Sequence, residues 1–174
     1  LIVDDNPETM SMLNVTLSEV GLTVLVALSG EQALTIARRI KPDIILMDAM
    51  MPEMDGFEAC RRIKADAVIA HIPVIFMTGL SASEDMVRGF DAGGIDYVTK
   101  PINVEGLIAR MRAHLTNSRI ATGARQALDT LGQHSLSVDL KGNILWSTPN
   151  THSMMESLGA SHDWITTTMP TLLA

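Results

Sequence analysis

Five polar side chains stand at, or just past, the ends of apolar runs in this 174-residue chain. Asp4 and Asp5 follow Leu1-Ile2-Val3, and Asp48 closes Ile44-Ile45-Leu46-Met47. Thr78 closes Val74-Ile75-Phe76-Met77, and Lys100 follows Ile95-Asp96-Tyr97-Val98-Thr99. Three carboxylates brought together repel one another unless a cation or a base sits among them. Mg²⁺ is the natural cation for such a set, being hard, oxygen-seeking and content with one or two carboxylates plus waters and phosphate oxygens. Lys100 would add a second positive charge. A carboxylate facing a divalent cation, an ammonium and a hydroxyl can attack phosphorus and become an acyl phosphate. Positive charge would then offset the charge on the equatorial oxygens. Each residue also has a plainer reading: a solvated strand end, an ordinary hydroxyl, a surface charge.

Such a cluster forms only if the elements deliver it. Pro7 suits the first turn of a helix whose Met10, Leu13, Leu17 and Val20 recur at helical spacing, with Gly21 closing it. Thr23–Leu28 reads as a second strand, and Ser29 caps a helix carrying Ala33, Leu34, Ala37 and Ile40. The run over 43–48 is nearly continuous in apolar residues, as in a parallel strand covered on both faces. A helix over Phe57–Lys64 follows, then a strand over 73–78 and a helix capped by Ser83. Ile95–Val98 forms a fifth strand, and Asn103 caps the last helix. Strands alternating with helices predict a doubly wound α/β fold around a five-stranded parallel sheet. In such sheets ligands bind beyond the carboxyl ends of the strands, where the five polar residues fall.

With the elements in place, four blocks resemble the signature of the response-regulator receiver domain, the CheY-like family. They are Leu1-Ile2-Val3-Asp4-Asp5, Met47 through Gly56, Met77-Thr78-Gly79 and Thr99-Lys100-Pro101, in order over about residues 1–120. The resemblance implies a flavodoxin-like strand order 2-1-3-4-5. It implies Asp48 as phosphoacceptor, with Mg²⁺ held by Asp5, by Asp4 partly through water, by Asp48 and by the carbonyl of Met50. Thr78 and Lys100 would contact the phosphoryl group, Tyr97 would be the aromatic partner of Thr78 in switching, and the bond before Pro101 would be cis. Tyr97 as simple core filler competes with that role. Met50 and Leu80 stand two residues beyond Asp48 and Thr78. Both are apolar where family members that lose phosphate quickly carry polar side chains, which implies a long-lived phospho-Asp48.

Beyond Leu115 the apolar positions Ile120, Ala121, Ala124, Ala127, Leu128 and Leu131 continue with no Pro, predicting one long helix to about Thr130. A break at Gly123 is the alternative. An exposed apolar stripe there predicts a parallel helix pair in a homodimer. Ser135–Leu140, Lys141-Gly142-Asn143 and Ile144–Trp146 read as a hairpin, followed by a short helix near Met154 and Met155. This stretch resembles the opening of a PAS domain. The expected organisation is a receiver over 1–118, a signalling helix over 119–133 and a partial PAS-like segment over 134–174. The chain begins inside an apolar run and stops without a terminal signal, and it reads as part of something longer.

Composition narrows the function. Lys+Arg 13 against Asp+Glu 20 leaves a formal net charge of -7, so no overall positive field draws this chain to nucleic acid. DNA binding is therefore expected only of a further C-terminal domain of a parent similar to LuxR-type regulators. No apolar run approaches the roughly 20 residues of a membrane span. The single Cys60 excludes an internal disulfide and fits a reducing, cytoplasmic setting. The implied partner is a sensor histidine kinase or a phosphotransfer protein, and the domain modifies itself rather than turning over an external substrate. Two rivals remain: a phosphorylation-independent receiver-like interaction module, and a magnesium-dependent phosphohydrolase. The second needs an acidic residue where Met50 stands.

Overall fold

The computed structural model describes residues 1–66, 68–79, 83–138 and 144–157. The chain divides into two compact units, Leu1–Thr116 and Asn117–Ala174. The first begins with β1 (Ile2–Val3), α1 (Pro7–Glu19), β2 (Val26–Ala27), α2 (Gly30–Ile40), β3 (Ile45–Asp48) and α3 (Gly56–Ala65). It continues with β4 (Val74–Thr78), α4 (Ser83–Asp91), β5 (Asp96–Thr99) and the start of α5 (Val104–Thr130). All five strands are parallel, in the order β2-β1-β3-β4-β5.

Caps set the helices in place. The Asn6 side chain accepts from the amides of Glu8 and Thr9 at the start of α1, which satisfies two donors that the helix cannot. Ser29 caps α2, and Asp55 caps α3 through the Glu58 amide at 2.7 Å. Lys41 ends α2 in the left-handed region at φ 52. Asn103 accepts from the Gly106 amide at 2.8 Å to open α5. Ser83, read from sequence as a cap, instead lies within α4, and β2 is shorter than the 23–28 run.

Alternate residues of the buried strands feed two cores, one on each sheet face. Val3, Ile45, Met47, Val74 and Phe76 pack with Ala33, Leu34 and Ala37 of α2 and Phe57, Cys60 and Ile63 of α3. Ile2, Leu46, Ile75 and Met77 pack with Met10, Leu13 and Leu17 of α1 and Leu107 and Met111 of α5. Lys64, at the end of α3, turns its ammonium inward to the carbonyls of Ala70 (2.9 Å) and Ile72 (2.6 Å).

Helix α5 runs unbroken through Gly123, where a Cβ would meet nothing within 4 Å. Within the second unit, β6 (Leu136–Val138) and β7 (Ile144–Ser147) pair antiparallel with an irregularity at Ser137/Val138, and α6 spans Pro149–Ser157. The buried Thr148 hydroxyl donates to the Gln133 carbonyl at 3.0 Å and lies 2.8 Å from the Thr151 hydroxyl. The hairpin turn 141–143, Leu80, and Leu158, His162 and Trp164 lie outside the described residues. Among the described residues, no helix is long and apolar enough to cross a membrane.

Candidate functional site

Strand register assembles the site. Val3 pairs with Met47, Asp48 with Met77, and Thr78 with Thr99. Asp4 lies one residue past the end of β1, and Lys100 one residue past β5. The carboxyl edges of four neighbouring strands therefore present Asp4, Asp48, Thr78 and Lys100 side by side. Asp5, adjoining Asp4, is exposed. Asp4 is fully buried, and Asp48 and Thr78 nearly so.

Lys100 Nζ donates to Asp48 Oδ2 at 2.8 Å and to Asp4 Oδ2 at 2.9 Å. The Asn6 amide donates to the other Asp4 oxygen at 2.8 Å, and the Met50 amide to Asp48 Oδ1 at 3.3 Å. Burial pushes the Asp48 carboxyl above the usual range. The hydrogen bond and charge of Lys100 pull it back, and Asp4 adds a like charge that raises it again. Burial works to lower the Lys100 ammonium, but the bonds from Asp48 and Asp4 and their charges outweigh it, so the net direction is up.

Carboxylate oxygens of Asp4, Asp5 and Asp48 lie within 4.8 Å of one another. Three acidic groups against one ammonium fit a hard divalent cation bound through oxygen. The Lys100–Pro101 bond is cis, and the Lys100 amide donates to the Thr78 carbonyl at 2.7 Å. Tyr97 is half-buried, and its ring meets Phe90 edge-on at 6.2 Å. Both line a small apolar recess with Ala49, Phe57, Phe76 and Thr78.

Several contacts carry no sequence signal. Asp96 accepts both of its bonds to Arg110 Nη1 at 2.9 Å and lies 3.0 Å from His114 Nε2, clasping β5 to α5. Burial alone would raise the Asp96 carboxyl. The His114, Tyr97-amide and Arg110 hydrogen bonds outweigh that and hold it below the ordinary value. Arg110 and His114 are one helical turn apart, which could have marked them as a pair, but their strand partner could not be read. Arg88 of α4 lies over the Phe57 ring, 4.6 Å from its centre, and 3.7 Å from the Asp55 carboxylate. A Cβ on Gly56 would run into the Asp48 carbonyl oxygen, so the loop after Asp48 closes back onto it only because that side chain is missing.

The sheet order and flanking helices are those of the CheY-like, flavodoxin-type fold. The chain belongs to the response regulator receiver domain family, which residues 1–112 match. It is 36% identical over 138 residues to the DNA-binding dual master transcriptional regulator RpaA of Synechocystis, covering 79% of this chain and 57% of that protein. It is 38% identical over 156 residues to the response regulator PleD of Caulobacter vibrioides, covering 80% of this chain and 34% of that one. Among solved structures, the receiver domain of a signal transduction histidine kinase from Syntrophus aciditrophicus superposes with a TM-score of 0.63. That pair is 34% identical, covering 67% of this chain and 88% of the other. The chain thus spans about a third to just over half of these two curated relatives.

Proposed function

We propose that Asp48 accepts a phosphoryl group from a sensor histidine kinase or a phosphotransfer protein, and that the chain is a switchable receiver rather than an enzyme acting on an external substrate. The observation carrying this is the Asp48 carboxylate, nearly buried, 2.8 Å from Lys100 and beside Asp4 and Asp5. Asp4, Asp5, Asp48 and the Met50 carbonyl would hold Mg²⁺. When bound, that ion offsets charge on the transferred oxygens. An Asp48 oxygen attacks phosphorus, the P–N bond of the donor phosphohistidine breaks, and the imidazole leaves. Lys100 then turns from carboxylate to phosphoryl oxygen, and the Thr78 hydroxyl donates a hydrogen bond to it. Thr78 and Tyr97, which share the apolar recess, bias an equilibrium between two pre-existing states.

Output passes along α5, whose exposed Ile120, with the exposed Leu131 just past its end, suits a parallel pairing with a second copy. The hairpin and α6 are read as the opening of a PAS-like module, and a DNA-binding output as the property of a longer parent. The name of RpaA supports a DNA-binding parent without extending to LuxR-type architecture.

The test is intact mass after incubation with Mg²⁺ and a small acyl-phosphate donor. One added phosphate on wild type and none on Asp48→Asn supports the reading. No added mass on folded wild type turns it toward a phosphorylation-independent interaction module.

A further inference from the structure

We infer that Met50 is a peroxide-oxidisable site whose sulfoxide shortens the life of the phosphoryl group on Asp48. This rests on the reading of Asp48 as phosphoacceptor. Five thioethers surround the site within its own strands and loop, and four are packed away. Met47 and Met77 are fully buried, and Met51 and Met54 nearly so. Met50 is 57% exposed, more than any other methionine among the described residues. Its backbone amide donates to Asp48 Oδ1 at 3.3 Å, so this exposed sulfur is rooted one hydrogen bond from the acceptor carboxylate.

Among the described residues of the receiver unit, Met12 at 42% exposure is the next most open thioether, and it lies on α1 rather than in the loop after Asp48. Cys60 is fully buried, and burial pushes its thiol up to about 11, which leaves almost no thiolate at neutral pH. A hydroperoxide can reach Met50 directly. The sulfur lone pair attacks the outer peroxide oxygen, the O–O bond breaks and the S–O bond forms. The peroxide proton passes to the departing oxygen, giving water or an alcohol. Sulfur is oxidised by two electrons, and a thiol-dependent sulfoxide reductase reverses the change.

The consequence follows from polarity. A thioether beside an acyl phosphate is a poor hydrogen-bond acceptor and gives an attacking water no anchor. A sulfoxide oxygen is a strong acceptor on the same flexible stem. Water held there loses less orientational freedom on reaching phosphorus. The expected acceleration is about 3- to 10-fold, below the roughly 100-fold of a positioned base because no proton is taken.

The experiment treats the whole chain with limiting hydrogen peroxide and locates the added oxygen by tandem mass spectrometry. The protein is then charged with a small acyl phosphate and Mg²⁺, the donor is removed, and phosphoprotein decay is followed by intact mass. Oxygen appearing first on Met50, with faster decay that reductase reverses, supports the inference. Met50→Leu should decay at one rate before and after peroxide, and Met50→Gln should decay fast without it. Oxygen accumulating on Met12 or Met154 ahead of Met50, or equal decay rates for oxidised and reduced protein, overturns it. Failure of the reduced protein to take phosphate overturns the phosphoacceptor reading, and the oxygen map still reports separately whether Met50 is the reactive thioether.

Discussion

The Lys100 ammonium and the Asp48 carboxylate meet at 2.8 Å although 52 positions separate them in the chain. Lys100 also reaches Asp4 at 2.9 Å, so a single cation compensates two buried acids. That economy leaves the site short of positive charge.

Lys100→Met should lower stability by about 1–3 kcal/mol, less than for a fully buried pair because Lys100 keeps contact with solvent. Mg²⁺ should restore more stability to this variant than to wild type, since binding stabilises the folded state in proportion to affinity. Urea midpoints with and without Mg²⁺ read both effects. Equal Mg²⁺ increments in the two proteins would count against Lys100 as the balancing charge.

Two glycines should respond in opposite directions to alanine. Gly56→Ala drives a methyl against the Asp48 carbonyl and should cost at least about 1–3 kcal/mol, with loss of phosphoryl uptake. Gly123→Ala meets open space within α5 and should add about 0.5–1 kcal/mol of helix stability. Thermal melts followed at 222 nm separate the two.

Acid should loosen the clasp between β5 and α5. The Asp96 carboxyl lies below its ordinary value in the fold, so its stabilisation is complete above the unfolded value of about 3.9. It is lost as pH falls through the lower folded value. Asp96→Asn should cost about 1–2 kcal/mol at neutral pH and flatten the acid limb of the stability curve below about pH 4. An unchanged acid limb in the variant would show that other carboxylates carry it.

Paired α5 helices should give a concentration-dependent dimer that Ile120→Asp with Leu131→Asp weakens by tenfold or more, about 1.4 kcal/mol. Sedimentation equilibrium before and after phosphoryl loading is the measurement. A monomer at all concentrations in wild type would remove the dimer from the functional reading.

Much of the receiver was legible because local and long-range signals agree. The apolar run over 43–48 suits a doubly covered strand, and Ser29 and Asn103 announced helix starts that those caps occupy, while the caps Asn6 and Asp55 emerge only in the fold. Polar residues at successive strand ends drew attention to the right edge of the sheet. What stayed hidden depends on distance in sequence. Nothing in Asp96 names Arg110 or His114 as partners, and nothing in Gly56 tells that a side chain there would strike the Asp48 carbonyl. Lys64 ends the helix expected over Phe57–Lys64, and nothing in that pattern tells that two loop carbonyls draw its ammonium inward.

The row-by-row pairing of β3, β4 and β5 has a consequence for how this domain tolerates change. Side chains alternate between faces along a strand, so a slip of one residue in β4 would deliver Met77 or Gly79 to the place of Thr78 and exchange the two cores. The Gly93-Gly94 turn between α4 and β5 sits outside that frame. An inserted residue there disturbs a turn packed on Phe76 and Lys64 but leaves the β3–β4 register intact, while the same insertion within β4 rewrites the chemistry at the sheet edge. Insertion scanning across the two segments should divide cleanly, with phosphoryl uptake kept in the turn and lost in the strand.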